Sequence, residues 1–197
     1  MKIKQYLDNR AANRFTVIQA VALAEFDGLR KPNQYGKLPF KNLDPSKPNN
    51  KYFKAIDSTI HMAKQRNLFV RLLPIWGDKV TKFWGEGRVV FDSVTAYTYG
   101  KWIGKRYKKE PNIIWISEGD RPALKDSADW RLVWRAMAKG IIEATQHQCI
   151  ITYHSWGGSN STSQWIHNEK WLHINMFQSG QGGGHDVACW DLTPKRF

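Results

Sequence analysis

Apolar positions at Ile3, Leu7 and Ala11 recur every four residues, so the start of the chain reads as a helix with one buried stripe, running to about Asn13. Residues 15–22 (FTVIQAVA) then read as a strand. A loop rich in Pro, Asn and Gly occupies 27–50. After it, Phe53, Ile56, Ile60 and Ala63 carry helical spacing, with Asn49 or Asn50 as the cap. Residues 68–73 (LFVRLL) form the next predicted strand. A third helix is predicted from Asp92 or Ser93, with Ala96, Tyr99, Ile103 and Tyr107 on one face and Pro111 beyond its end. The apolar run 113–116 follows. A fourth helix is predicted after Lys125, capped by Asp126 or Ser127, with Val133, Met137, Ile141 and Ala144 as its stripe. Residues 149–153 (CIITY) read as a strand, 155–163 as a Gly- and Ser-rich loop, 164–170 as a short helix and 171–177 as one more strand.

Strands near 15, 68, 113, 149 and 172, each separated from the next by a helix or helix-like segment, imply parallel connectivity. The expected class is α/β. No Gly-x-Gly-x-x-Gly turn follows the first strand and no phosphate-binding Gly-x-x-x-x-Gly-Lys-Ser/Thr loop occurs, which favours a (β/α)8 barrel over a nucleotide-binding open sheet. A complete barrel of this kind needs about 250 residues. With 197 residues, an opening helix and five legible strands, the chain reads as a single partial barrel domain over 1–197, with strand 1 and strands 7 and 8 not evident.

Composition narrows the function. A 42% apolar content supports one sizeable core. The formal charge of +13 raises nucleic acid as a partner, but the densest basic run, 101–109, fits the solvated carboxyl end of an amphipathic helix, and no nucleic-acid-binding motif accompanies it. No stretch is apolar enough for a membrane span, and the opening residues MKIKQYL lack the apolar core of a signal peptide. Cys149 and Cys189 lack metal-site spacing, and His154, His167, His173 and His185 match no standard ligand motif, so neither metal nor cofactor is expected. Compartment and oligomeric state are not written in these features.

Polar and aromatic residues gather where each strand hands over to its loop: Glu25 and Asp27, Trp76 and Asp78, Glu118 and Asp120, His154 and Trp156, Asn175 and Gln178. Strands with apolar interiors and polar carboxyl ends are how a barrel builds a site at one rim. Ten tryptophans add flat faces suited to sugar rings; Trp76, Trp84, Trp156 and Trp165 are candidates for that role, while Trp102, Trp115, Trp130 and Trp134 fall inside predicted elements and read as core. Hydrolysis of a glycoside needs two carboxyl groups, one of them held protonated by burial or a neighbouring negative charge. Asp120 is the candidate acid and Glu118 its modulator. Arg121 could instead hold either carboxylate in a structural ion pair, so spacing alone fits Asp120 to a catalytic and a scaffolding role equally.

Seven stretches, in one order, carry a resemblance: 15–19 (FTVIQ), 32–36 with Pro39 and Phe40, Tyr52 and Phe53 with Asp57, 72–79 (LLPIWGDK), 112–116 (NIIWI) with 119–122 (GDRP), 151–158 (ITYHSWGG) and 175–180 (NMFQSG). In these the chain resembles the apiosidase-like glycoside hydrolases, barrel enzymes acting on plant cell-wall glycans. The resemblance implies an eight-stranded barrel, a retaining mechanism, a carbohydrate substrate, and Asp120 as general acid/base at the end of the fourth strand. It also implies a glutamate nucleophile near the end of the seventh strand, in a Glu-Pro-x-Tyr-Glu-like segment. Nothing after Asp191 matches that segment, and the family's first strand would precede Ile3. Ser117 and Glu118 stand where the family has small residues before its aspartate. The expectation is therefore a hydrolase whose present chain is inactive or very weak unless Glu118 or Glu25 substitutes, with a non-catalytic carbohydrate-binding scaffold as the alternative and nucleic-acid binding behind it.

Overall fold

A computed structural model describes residues 3–82, 87–117, 119–155 and 162–178. Helix α1 (Ile3–Ala12) forms where the four-residue recurrence places it, and buries Leu7 completely. Strand β1 (Val17–Val21) follows. Helix α2 (Asn50–Lys64) is capped by Asn49, whose side-chain oxygen accepts from the Lys51 N–H at 3.1 Å, and buries Phe53, Ile60 and Ala63. After β2 (Phe69–Leu73), helix α3 (Ser93–Tyr107) begins at a full capping box: Asp92 Oδ1 accepts from the Thr95 N–H at 2.8 Å, and Thr95 Oγ1 accepts from the Asp92 N–H at 2.9 Å. Strand β3 (Ile113–Ser117) comes next.

The fourth helix departs from expectation. Asp126 and Ser127, expected as its cap, form the two-residue turn of a small antiparallel hairpin, β4 (Leu124–Lys125) against β5 (Ala128–Asp129), with Asp126 in the left-handed region at φ 54. Aspartate tolerates that conformation, which is why the same residue type suits either a cap or a turn. Helix α4 (Arg131–Ala144) starts only afterwards, and the Asp129 carboxylate accepts from its first free N–H, that of Arg131, at 2.9 Å. Strand β6 (Ile151–Tyr153) and the single turn α5 (Ser163–Ile166) are the last elements among the described residues.

The sheet runs β1-β2-β3-β6, all parallel. Its register pairs Ile18 with Val70, Leu72 with Trp115, and Trp115 with Ile151, so these buried residues share one face. That face packs with Tyr99, Ile103, Trp134, Met137 and Ile141 of α3 and α4 into one core. On the opposite face Val17, Gln19, Phe69, Arg71 and Ile114 are exposed or half-buried, whereas Leu73, Ile116 and Thr152, nearer the carboxyl ends, are buried. Glycines set the α3–α4 approach: a Cβ on Gly100 would lie 2.4 Å from the Met137 carbonyl oxygen, and one on Gly140 2.4 Å from the Tyr97 carbonyl oxygen.

The expected strand over 171–177 is reduced to isolated bridge residues, Ile174, which pairs in parallel with Thr152, and Phe177. Backbone bonds remain, from the His173 N–H to the Ile151 carbonyl at 2.9 Å and from the Thr162 N–H to the Met176 carbonyl at 2.8 Å, but side chains take other positions: Thr152 Oγ1 donates to the Ile174 carbonyl at 2.7 Å, His173 Nδ1 accepts from the Ile151 N–H at 3.2 Å, and Thr162 Oγ1 accepts from the Met176 N–H at 3.1 Å. In the basic run, Arg106 forks onto Asp57 with 2.8 and 2.6 Å bonds, and Lys101 lies 3.7 Å from Glu143. Among the described residues no helix is long and apolar enough to cross a membrane.

Candidate active site

The carboxyl ends of the four parallel strands converge through their first loop residues. The Ala22 N–H donates to the Leu73 carbonyl at 2.9 Å and the Trp76 N–H to the Leu23 carbonyl at 3.2 Å, which carries the β1–β2 association past the strands and brings the Glu25 loop beside Trp76. The His154 N–H donates to the Ser117 carbonyl at 3.0 Å, extending β3 against β6 in the same way.

Asp120 stands between these pairs, half-buried, at φ 60. Its N–H donates to His154 Nδ1 at 3.3 Å, and its carbonyl accepts from Arg121 Nη1 at 2.8 Å. Arg121 is fully buried and sends Nη2 to Glu25 Oε1 at 2.6 Å, a residue 96 positions away. Just before Asp120, Gly119 lies under the Trp76 indole: a Cβ there would meet Trp76 Cδ2 at 2.6 Å. The Trp76 and His154 rings are 6.2 Å apart at 44°. Glu25, Trp76, Gly119, Asp120, Arg121 and His154 thus meet at one rim.

Burial pushes the His154 imidazole below its ordinary 6.5, while the negative charge of Asp120 acts against that shift and the cation of Arg71 reinforces it. The ring is neutral when Nδ1 accepts from Asp120, which leaves its proton on Nε2. Asp78 is 2% exposed and Lys79 not at all; the ammonium nitrogen contacts both Asp78 oxygens at 2.7 Å. Burial pushes the Asp78 carboxyl above the usual range, with Lys79 opposing it, Glu25 adding to it and Arg121 opposing it. Asp78 therefore sits under the rim in an ion pair. Asp27, the other carboxylate of the first loop, is held low by Arg30, which donates to both of its oxygens at 2.9 Å.

Asn175 and Gln178 follow the Ile174 bridge, and their amide oxygens are buried with no hydrogen-bond partner among the described residues. Glu118, Trp84 and Trp156 lie outside the described residues. Trp165 packs against the core, as do Trp102 and Trp130, and Trp115 and Trp134 are buried within it. Sequence reasoning missed the Glu25–Arg121 bridge and the burial of Lys79. For the first, the only available sign was a lone arginine beside the key aspartate; for the second, the Lys next to Asp78 in the Trp-Gly-Asp-Lys segment. Among the described residues no group of three or more His, Cys, Asp or Glu side chains could hold a metal ion.

A cavity of about 890 Å³ lies at the other end of the sheet, bordered by Val17, Phe69, Ile114, Ile150, Lys108 and Glu110. It is built from strand starts and helix ends. Glu110, the carboxylate on its border, is engaged with Lys64 at 3.3 Å, so the cavity offers no pair of free carboxyl groups.

Residues 1–195 match the family model described as "Apiosidase-like, catalytic domain". A solved structure titled as a glycoside hydrolase superposes with a TM-score of 0.77 at 28% identity, covering 91% of this chain and 38% of the other. A glycoside hydrolase family 5 protein from Bacteroides vulgatus ATCC 8482 gives 0.77 at 27% identity, covering 91% and 37%. Thermotoga maritima Cel5A, solved with cellobiose in a mutant form, gives 0.55 at 14% identity, covering 88% and 49%, and speaks to fold alone. The chain thus spans under two fifths of the first two structures, and the fold is that of an incomplete (β/α)8 barrel. No match was found among curated proteins.

Proposed function

This chain belongs to the apiosidase-like catalytic-domain family, and from that premise we propose that it carries the acid/base side of a retaining glycoside hydrolase site, with Asp120 as general acid/base and plant cell-wall glycans as substrate. The observation that carries the reading is the fixing of Asp120 at the carboxyl rim, its peptide bonded on both sides and Trp76 packed beside it. In the first step the Asp120 carboxylic acid gives its proton to the glycosidic oxygen as the bond to the anomeric carbon breaks, while a second carboxylate attacks that carbon from the opposite face. In the second step Asp120, now ionised, takes a proton from the water that displaces the enzyme carboxylate. Retention requires the two carboxyl groups about 5 to 5.5 Å apart.

Half-exposed Trp76, beside His154, offers a face against which a sugar ring can stack, and the buried amide oxygens of Asn175 and Gln178 are acceptors suited to sugar hydroxyls. Glu25 is committed to Arg121, which argues against it as a replacement nucleophile. No stretch of the sequence matches the Glu-Pro-x-Tyr-Glu-like segment, so this chain by itself is expected to turn over aryl glycosides and pectic oligosaccharides far more slowly than a version extended on both sides to the length of its solved relatives. Equal turnover by both would end the account of the nucleophile. In the extended chain, Asp120→Asn is expected to cut rate by about 10²- to 10⁴-fold with ligand affinity kept. If the parent has no rate to lose but still binds the oligosaccharide, the protein is a carbohydrate-binding scaffold instead.

A further inference from the structure

We propose that Arg121, anchored on Glu25, and His154 are positioning residues that clamp the Asp120 peptide from its two sides and thereby set where the Asp120 carboxyl points. This rests on the reading of Asp120 as general acid/base and adds the device that aims it. Asp120 has φ 60, a conformation that costs a non-glycine residue free energy although aspartate tolerates it better than most, so bonds that fix its peptide on both sides help to hold it there. Both backbone polar groups of Asp120 are taken by side chains: the N–H by His154 Nδ1 and the carbonyl by Arg121 Nη1. Neither bond belongs to a helix or a strand ladder. One bond comes from the next residue, whose side chain is itself anchored on Glu25, and the other from His154, so the conformation is supported by groups beyond its own turn.

The guanidinium suits this task because its two terminal nitrogens are fixed relative to each other in one plane. One nitrogen holds the Asp120 carbonyl and the other holds Glu25, so the position of the first loop is transmitted rigidly to the third. Burial and two further contacts make the frame stiff. Arg121 is wholly buried, the Tyr153 hydroxyl lies 3.5 Å from the Arg121 carbonyl, and the Trp76 indole closes over Gly119. On the other side His154 is tied to β3 by its own N–H, so the imidazole that receives the Asp120 N–H cannot drift along the rim. Lysine at position 121 would keep the charge yet could not span both partners, because an ammonium is a point donor.

Two measurements test the clamp, one of them independent of catalysis. In this chain, amide hydrogen exchange at Asp120 is expected to accelerate in Arg121→Lys and in His154→Phe while core amides in β3 keep their protection. His154→Asn, which retains an acceptor, is expected to keep much of the slowing, and Glu25→Gln, which retains an acceptor oxygen but leaves the buried Arg121 guanidinium without its counter-charge, is expected to keep part of it. An Asp120 amide that exchanges in Arg121→Lys and His154→Phe as it does in the parent overturns the proposal.

In the extended chain the readout is the dependence of rate on leaving group. Aryl glycosides whose leaving groups depart without a proton bypass the acid, so Arg121→Lys is expected to lose about 100-fold on poor leaving groups, as a misplaced catalytic group does, and little on activated ones. A uniform loss across all leaving groups marks Arg121 as merely structural and also overturns the proposal. Failure of Asp120→Asn itself to show this selectivity would instead sink the acid/base reading, and the exchange experiment separates the two failures.

Discussion

His154 is 9% exposed, and its burial lowers the imidazole pKa below 6.5. That direction fixes how the residue couples to pH. Well above 6.5 the ring is neutral in both folded and unfolded chains and adds no proton-linked term. As pH falls below 6.5 the unfolded chain binds a proton that the folded ring refuses, so stability declines by up to about 1.4 kcal/mol per pH unit until the folded value is reached. Protonation at Nδ1 also removes the acceptor for the Asp120 N–H, which ties the same titration to the geometry of the site. Urea unfolding above and below 6.5 is expected to show this loss in the parent and a shallower one in His154→Asn; an unchanged slope in the variant would assign the effect to another group. At this scale the sequence was legible in part. Asp120, Trp76 and His154 could be picked out because each sits directly after an apolar run. The Arg121–Glu25 bridge could not, since its partners are 96 positions apart and only the register of the sheet brings them together.

The starts of helices α2 and α3 could be placed to within a residue because they are written in local chemistry: Asn49 and Asp92 each accept from the N–H groups they cap. The start of α4 could not, because Asp126 and Ser127 satisfy the rules for a cap and for a hairpin turn equally, and the cross-strand partner Leu124–Asp129 decided between them. The last strand misled for a related reason. Its alternation is sound, but the side chains of Thr152, Thr162 and His173 occupy some of the bonds a ladder would use. Packing of α3 on α4 rests on something periodicity cannot show. Gly100 and Gly140 face backbone atoms at 2.4 Å from the position a Cβ would take, so the helices meet main chain to main chain. Alanine at either site gains about 1 kcal/mol in helix propensity. Because the obstructing atoms are backbone, the clash prevails, and Gly140→Ala is expected to lower the unfolding free energy by about 1 to 3 kcal/mol net. A stabilised Gly140→Ala protein in chemical denaturation would show that the helices part readily.

Among the described residues the sheet has one face covered by helices and one left open at its amino-terminal end. Helices cover the side of the sheet that bears Ile18, Val70, Leu72, Trp115 and Ile151, whereas the other side leaves Phe69 at 45% and Ile150 at 44% exposure, and β1 pairs on one edge alone among the described strands. In a closed barrel that second side is the packed interior, filled by layers of side chains from every strand. The chain spans 38% and 37% of two solved relatives at the same TM-score of 0.77, so the face that is open here corresponds to one that further strands would close. The context dependence of a single substitution tests this directly. Phe69→Ala removes a ring that is nearly half solvated in this chain, and its cost is expected to be a fraction of that for a core phenylalanine. In a version extended on both sides to the length of those relatives, the same ring would lie inside the barrel, and the cost is expected to rise to about 3 to 5 kcal/mol. Loss of a contact that exists in both forms would cost the same in each. Equal costs by urea unfolding would therefore mean that no additional strands pack on this face, and that the rim holding Asp120 is closed by some other arrangement.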